Sequence, residues 1–559
     1  MRHVVTCLAV FLVAIFLASP VVHATADIGY ISFLGYLDAD RAWGTVNDLA
    51  GDRFEGRRAG TQGAELASEY IASYFSSIGL QPAGADGTYR ARFTLPLWEL
   101  AQIPSLTLVD SSRNILQSFE YRKDFFVITG SGSGDYSTEV VFGGYGITAP
   151  GLGYDDYAGI SVRGKIVLAI VGTPASSRFN EDNYGHGYKK AENALAHGAV
   201  GLILVDSAAE PTPHYVERWR CYVTGCCWTI YDGLAMLGGS VQTANELLED
   251  SGYTLDSLQQ SIDQTLKPRS IPLGKQLHVS VKATFAANAD TYNVLGFIPG
   301  SDAGSHKVII IGAHYDHWGR DVNGAIFRGA DDDASGVADM MEIARVFSAG
   351  AKPRWSVLFA AWAGEEEGLY GSYAYVNHPY FPLATTIAYL NLDMVGNGEP
   401  LLFESAETHT ALRTVTTESA KQLGFVISVQ GYEGGSDHAP FEEEGVPNLM
   451  FIYWPYEEYH TPSDTSDHVS RADLLETAKL TALIALKLSE ATVSSIASSV
   501  ITAAETTTAI ASYVHATTVA TNTVSGASTL VTADASMITG VVLVLVCVTV
   551  VYYLKRRRD

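Results

Sequence analysis

The sequence predicts an α/β protein, with a mostly parallel sheet flanked by helices and a smaller α/β unit inserted into it. Three observations carry this. Between Gln276 and Leu488, short apolar runs of strand type alternate with helical stretches. A second, shorter alternation of the same kind lies within 137–270. Acidic and histidine side chains stand just past several of the apolar runs, where open α/β sheets gather their functional groups. The chain has 559 residues, 47% hydrophobic and 17% charged, which is a globular composition too long for one core.

The first element is an address. Met1-Arg2-His3, an apolar run from Val4 to Ala18 and Val22-His23-Ala24 read as a secretory signal peptide over 1–26. The first part of the main domain is expected over 27–136. Two helices fall between Asp40 and Leu80; in the second, Leu66, Tyr70, Ile71 and Phe75 stand at helical spacing and Gly79 stops the run. Thr129-Gly-Ser-Gly-Ser-Gly134 reads as a flexible junction and not a phosphate loop, since it lacks the Lys and the strand–loop–helix setting. In the insert, Val162–Val171 ends in a buried-type strand, Tyr188–His197 is a helix and Val200–Val205 a strand.

In the main domain, 276–490, strands are expected at Val308–Gly312, Ser356–Ala361 and Ile387–Leu392. Ser335–Phe347 is a helix with Val337, Met340, Met341 and Ala344 on one face, and Ala472–Leu488 is the closing helix. Residues 491–536 form a Ser/Thr/Ala/Val-rich stalk. The apolar segment 537–554, at about 1.5 Å per residue, just spans a bilayer core. The basic tail 555–559 would be cytoplasmic by the positive-inside rule, so the membrane is an expected partner through a single C-terminal span with the ectodomain outside.

The net charge of −25 argues against a nucleic-acid partner, because no basic surface is available to neutralise phosphates. Cys221, Cys226 and Cys227 are an odd set; export permits one disulfide among them and leaves one thiol over. There is no Asn-x-Ser/Thr sequon. Oligomeric state is not legible.

The chemistry is concentrated between His314 and His460. The residues are His314-Tyr-Asp316, Asp331-Asp332-Asp333, Gly364-Glu365-Glu366, Asn-Leu-Asp393 and Tyr459-His460. Imidazole and carboxylate are what a divalent metal such as zinc takes as ligands, and a spare carboxylate beside a ligand is what a hydrolytic site needs as a base. Five such clusters point to a hydrolase with two metals.

These motifs resemble the co-catalytic zinc peptidases of the aminopeptidase and glutamate-carboxypeptidase kind, clan MH. The resemblance covers Asp38–Gly130 and Gln276–Leu488, with Glu55-Gly-Arg, Gly60-Thr and Gly79-Leu near Pro82 also matching. The insert resembles the protease-associated (PA) domain in Gly144-Tyr-Gly-Ile, Tyr154-Asp-Asp-Tyr, Gly164-Lys-Ile-Val and His197-Gly-Ala-Val-Gly, which implies a lid or substrate-selecting element. The resemblance implies two Zn2+ ions, with Co2+ or Mn2+ accepted by the same donors. His314 and Asp393 would hold one ion, Glu366 and His460 the other, and Asp332 would bridge them. Asp316 would accept the spare N–H of His314. Glu365 would be the general base acting on the metal-held water, and Tyr459 would help stabilise the oxyanion.

The implied activity is removal of N-terminal residues from peptide substrates at the cell exterior. A carboxypeptidase of the same family would aim a basic residue such as Arg320, Arg328 or Arg413 at the substrate carboxylate. A glutaminyl-cyclase type would use one zinc, and a receptor-like ectodomain would have lost ligands. Asp331 and Asp333 read as supporting or capping groups, Glu367 as a solvated residue, and His317 and His468 as surface groups. Ser436-Asp437-His438 borders the pocket in this family. No Gly-x-Ser-x-Gly elbow supports reading it as a serine triad.

Overall fold

The computed structural model describes residues 29–206 and 230–494. The expected leader, the three cysteines between 221 and 227, the stalk from 495 onward and the apolar segment 537–554 lie outside these. Among the described residues no helix is long and apolar enough to cross a membrane.

The main sheet has nine strands. Its order is Gln81–Pro82, Ala283–Ile298, Ser356–Trp362, Val308–His314, Thr386–Leu392, Asn448–Tyr453, Leu401–Glu404 and Ile427–Gln430, with Arg90–Leu100 also paired to Ala283–Ile298. The four strands Ser356–Trp362, Val308–His314, Thr386–Leu392 and Asn448–Tyr453 run parallel. Their near-continuous apolar sequence follows from burial on both faces. Ile309, Ile311, Val357 and Phe359 enter one core, while Val308, Ile310, Leu358 and Ala360 enter the other. Parallel strands end on the same side, so the residues after His314, Trp362 and Leu392 all emerge at one edge.

The helices follow from their sequence. Ala39–Leu49 begins where the Asp38 side chain accepts the Asp40 and Arg41 N–H groups, and it buries Ala42, Val46 and Leu49. Gln62–Ser77 buries Ala64, Ala67, Ile71 and Phe75. Gly336–Gly350 is buried nearly all round, including Glu342 and Arg345, which pair at 2.6 Å. Arg471–Leu488 starts on a Ser470 cap and packs on that helix and the first one.

The second sheet has eight strands, in the order Ile115–Phe119, Ser105–Val109, Ile271–Val281, Gly134–Phe142, Ile166–Ile170, Gly201–Val205, Ala235–Gly239 and Phe125–Val127. It reaches beyond 137–270 on both sides, because Ser105–Val109 and Ile271–Val281 pair with each other across the insertion point. A long ribbon, Arg90–Leu100 against Ala283–Ile298, joins the two sheets. The Thr129–Gly134 stretch is packed and not loose. Ser131 is fully buried, and its carbonyl accepts the Trp98 indole N–H at 3.1 Å.

Candidate metal centre

The strand ends deliver the donors as the alternation anticipates. His314 closes Val308–His314, Glu365 and Glu366 follow Ser356–Trp362, and Asp393 follows Thr386–Leu392. His460 follows Asn448–Tyr453 by a loop and adopts a left-handed backbone, φ 57°. His314 Nε2 lies 3.3 Å from Asp332 Oδ1 and 3.5 Å from Asp393 Oδ1. His460 Nε2 lies 3.1 Å from Asp332 Oδ2 and 3.3 Å from Glu366 Oε2. Asp332 therefore lies between the two histidines, with Oδ1 toward His314 and Oδ2 toward His460.

His317 belongs to the same cluster. Its Nδ1 is 2.6 Å from Glu366 Oε1 and 3.7 Å from Asp332 Oδ2, and the ring is fully buried. This corrects the surface reading of His317. Nothing local in the sequence distinguishes it from His468, which is exposed beside Glu458. The single signal is its position three residues after His314. Glu367 is also not a solvated residue: it is buried and accepts the Arg58 Nε–H at 2.7 Å.

The outer acids are braces. Asp333 Oδ2 accepts the His314 N–H at 3.1 Å; its Oδ1 accepts Gly336 N–H at 2.9 Å and Met394 N–H at 3.1 Å. Asp331 Oδ1 accepts Gly396 N–H at 2.7 Å. Asp464, which the sequence did not single out, accepts the N–H groups of Asp331 at 2.8 Å and Asp332 at 3.1 Å. Asp333 stands near His314 and Asp393, but both its oxygens are engaged by backbone, so Asp332 is the free donor. Asp316 departs from expectation. His314 Nδ1 faces the Asp316 carbonyl at 3.1 Å, whereas the carboxylate is 3.9 Å away and accepts the Glu365 N–H instead. An N–H on Nδ1 donating to that carbonyl leaves Nε2 free to bind metal.

The residues fit a metal centre. Asp332 Oδ2, Glu366 Oε1 and both His317 nitrogens are buried without a hydrogen-bond partner, though carboxylate and imidazole atoms converge on them. Such a set is stable only with a shared cation or with mutual neutralisation. Burial opposes ionisation, but the facing carboxylates push His460 up to about 10. Burial and Asp332 act against Glu366, yet His460 and His317 hold it at about 2. Glu365 is pushed well up by burial and by Glu366 and Asp393, against His314. Burial, then Asp332 and Glu366, push the Tyr459 hydroxyl up, so it stays protonated.

A cavity of about 340 Å3 opens on this cluster. His314, Asp332, Glu365, Asp393, Tyr459 and His460 line it, with Met394, Leu402, Met450, Ile452 and Trp454 as an apolar wall. Ser436 lines it too; Asp437 and His438 lie behind, bonded to Ser372 and Glu404. Ser436 Oγ accepts the Asn391 amide N–H at 2.8 Å, so the three do not form a triad.

Fold and donor set together describe an α/β protein whose strand ends gather histidine and carboxylate groups of the kind that hold a metal ion. Residues 293–485 match the model of Peptidase family M28. Aminopeptidase YwaD of Bacillus subtilis (strain 168) is 27% identical over 351 residues, 60% of this chain and 66% of that protein. Leupeptin-inactivating enzyme 1 of Streptomyces exfoliatus is 36% identical over 168 residues, 29% of this chain and 36% of that protein. The chain thus spans under two thirds of these curated relatives. The aminopeptidase from Aneurinibacillus sp. strain AM-1 shares the fold with a TM-score of 0.60 at 23% identity, over 83% of this chain and 97% of that one. BSAP, a zinc aminopeptidase from Bacillus subtilis, does so with 0.55 at 21%, over 81% and 95%.

Proposed function

We propose that this chain is a two-zinc aminopeptidase. One observation carries the choice of aminopeptidase over carboxypeptidase: among the described residues, no Lys or Arg lines the cavity, whereas Glu365, Asp393, Glu404 and Glu433 do. A free α-ammonium is stabilised by carboxylates, and a terminal carboxylate needs a cation. The three arginines considered for that role are engaged elsewhere: Arg320 with Glu55, Arg328 with Asp52, and Arg413 with the Ser405 and Gln430 carbonyls.

His314 and Asp393 would hold one zinc, Glu366 and His460 the other, with Asp332 between them and His317 as a further donor on the Glu366 side. Zinc, when bound, supplies Lewis acidity and a water of lowered pKa. Glu365 would take a proton from the attacking water and return it to the leaving amine. Tyr459 donates its hydroxyl to the developing oxyanion. Glu365 and Asp393 receive the α-ammonium, and the apolar wall receives the first side chain.

The lobe around the second sheet is proposed to select substrates in the manner of a protease-associated domain. The expected leader, stalk and apolar segment support a proposal of membrane attachment with the catalytic lobe outside. Protease added to intact cells expressing the full chain would then remove the lobe, and protection of the lobe would overturn that topology.

The test of function is mass spectrometry of peptides incubated with the purified protein and zinc, with free and with blocked amino ends. Stepwise loss from free amino ends alone supports the reading. Loss from the carboxyl end moves the assignment to a carboxypeptidase. No cleavage favours the cyclase or receptor alternatives. Glu365→Gln should keep its metal and lose roughly a hundredfold or more in turnover.

A further inference from the structure

We propose that the cavity selects peptides whose first residue carries a long cationic side chain, lysine or arginine, with Glu404 as the specificity-determining acid. This rests on the aminopeptidase reading above and names its substrate class.

The cavity has two unlike parts. One presents the metal donors. The other is a patch of sheet formed by three adjacent strands, Asn448–Tyr453, Leu401–Glu404 and Ile427–Gln430. Leu402 stands opposite Ile452, and Glu404 stands opposite both Met450 and Gln430. Leu402 and Glu404 are two residues apart, so they share a face, and cross-strand partners lie roughly 5 Å apart on it. All five line the cavity, with Met394 and Trp454 completing the apolar part. The patch is therefore a hydrocarbon surface with a carboxylate set into it.

That carboxylate is ionised and lacks a fixed cation. Glu404 Oε1 accepts the N–H groups of Glu433 at 2.6 Å and Gly434 at 2.8 Å and faces His438 Nε2 at 3.1 Å. Burial acts against the charge, but these donors hold the carboxyl below its ordinary range. Among the described residues its one ion-pair partner is His438, and no Lys or Arg reaches it. On the metal side, the two divalent ions of the proposed site would offset the four carboxylates of Asp332, Glu365, Glu366 and Asp393. Glu404 has no such counterpart, and Glu433 beside it on the cavity wall adds to the negative end.

An apolar first residue filling this patch would press hydrocarbon onto a buried charge, which is costly. A lysine or arginine lays its methylenes along Leu402, Ile452 and Met450 and brings its cation to Glu404. The same physics makes the ammonium the part that discriminates, since the stem alone fits equally well.

The experiment compares kcat/KM of the zinc-loaded full chain on peptides that differ only in the first residue: lysine, arginine, norleucine and leucine. Norleucine has the lysine stem without its charge. Lysine is expected to exceed norleucine at least tenfold, with the ratio falling in high salt. In Glu404→Gln, which keeps an acceptor for the Glu433 and Gly434 N–H groups, that ratio should fall at least tenfold. Norleucine cleaved as well as lysine, or a ratio unchanged in Glu404→Gln, overturns the assignment while leaving the aminopeptidase reading intact. Failure to cleave any of the four overturns the aminopeptidase reading itself.

Discussion

Arg57→Lys tests whether the metal loops are held by geometry or by charge. The Arg57 guanidinium is fully buried and meets no carboxylate directly. It donates to four carbonyls: Tyr315 at 2.6 Å, and Leu49, Arg328 and Gly329 at 2.7 Å each. Tyr315 follows His314, and Gly329 leads into the Asp331–Asp333 triplet. One planar group thus fixes two ligand loops against the first helix. Burial lowers its pKa to about 10, against the pull of Asp464 and Asp316, so it stays charged at neutral pH. A lysine keeps the charge but offers a single point, and from there it reaches about two carbonyls at most. Two charge-assisted bonds lost at about 1.5–3 kcal/mol each give about 3–6 kcal/mol. That is a large share of the roughly 5–15 kcal/mol that holds a domain together. Urea unfolding of the zinc-loaded protein, with zinc content measured after dialysis, reads both consequences. Arg57→Lys should lose about 3 kcal/mol or more and retain less zinc than the wild type. A variant within 1 kcal/mol of wild type and fully loaded would refute the clamp.

His317→Ala should release zinc to a competing chelator roughly 10–100-fold faster or more completely, while His468→Ala behaves as wild type; identical release by His317→Ala would remove His317 from the donor set. Asp321→Ala breaks a buried contact in which Asp321 accepts from Arg122 Nε at 2.6 Å and from Tyr121. Leaving Arg122 without that partner costs about 3–5 kcal/mol. Amide exchange should rise in 121–128 and stay slow in 308–314, and unchanged exchange in both would count against this tie between the lobes. Asp156, buried in the second lobe, accepts the N–H groups of Tyr145 and Ile147 at 3.0 Å, yet burial raises it from 3.8 to about 7. The folded state then binds the proton more tightly than the unfolded state. Its contribution is full below about pH 4 and is lost as pH rises through about 7. The wild-type minus Asp156→Asn difference in unfolding free energy should therefore fall over that window, and a flat difference would contradict the raised value.

The parallel strands were legible because burial on both faces leaves an unbroken apolar run. Val308–His314, Ser356–Trp362 and Thr386–Leu392 lie within two residues of their expected bounds. The site residues at their ends were legible for the same reason, since the end of such a strand is also the edge of the sheet. The ribbon Arg90–Leu100 with Ala283–Ile298 was not, because its residues run through exposed, half-buried and buried positions without a regular period and pair across nearly two hundred positions of chain. The pairing of Ser105–Val109 with Ile271–Val281 is as long in range, and it carries the second sheet beyond 137–270. Glu367 was misread because its partner, Arg58, is 309 residues away. His317 and His468 differ only in what the fold packs around them.

The Glu55-Gly-Arg match shows how a motif can matter without touching chemistry. Gly56 has φ +73°, and a Cβ there would stand 2.2 Å from the Phe327 carbonyl oxygen. Its own carbonyl accepts the Gly319 N–H at 3.0 Å. The turn thus presses on the hairpin Gly319–Phe327 while Arg57 grips the carbonyls on either side of it. That hairpin follows Asp316-His317-Trp318 directly, and Trp318 donates its indole N–H to Glu366. The acids that surround the ligands act in the same way. Asp333 spends both oxygens on backbone N–H groups, Asp331 gives Oδ1 to the Gly396 N–H, and Asp464 holds the N–H groups of Asp331 and Asp332, while Asp332 turns its two oxygens to His314 and His460. A row of three aspartates is ambiguous in sequence because all three carry the same group. The fold separates them: Asp333 is tied to backbone through both oxygens, Asp331 through one, and only Asp332 faces histidines.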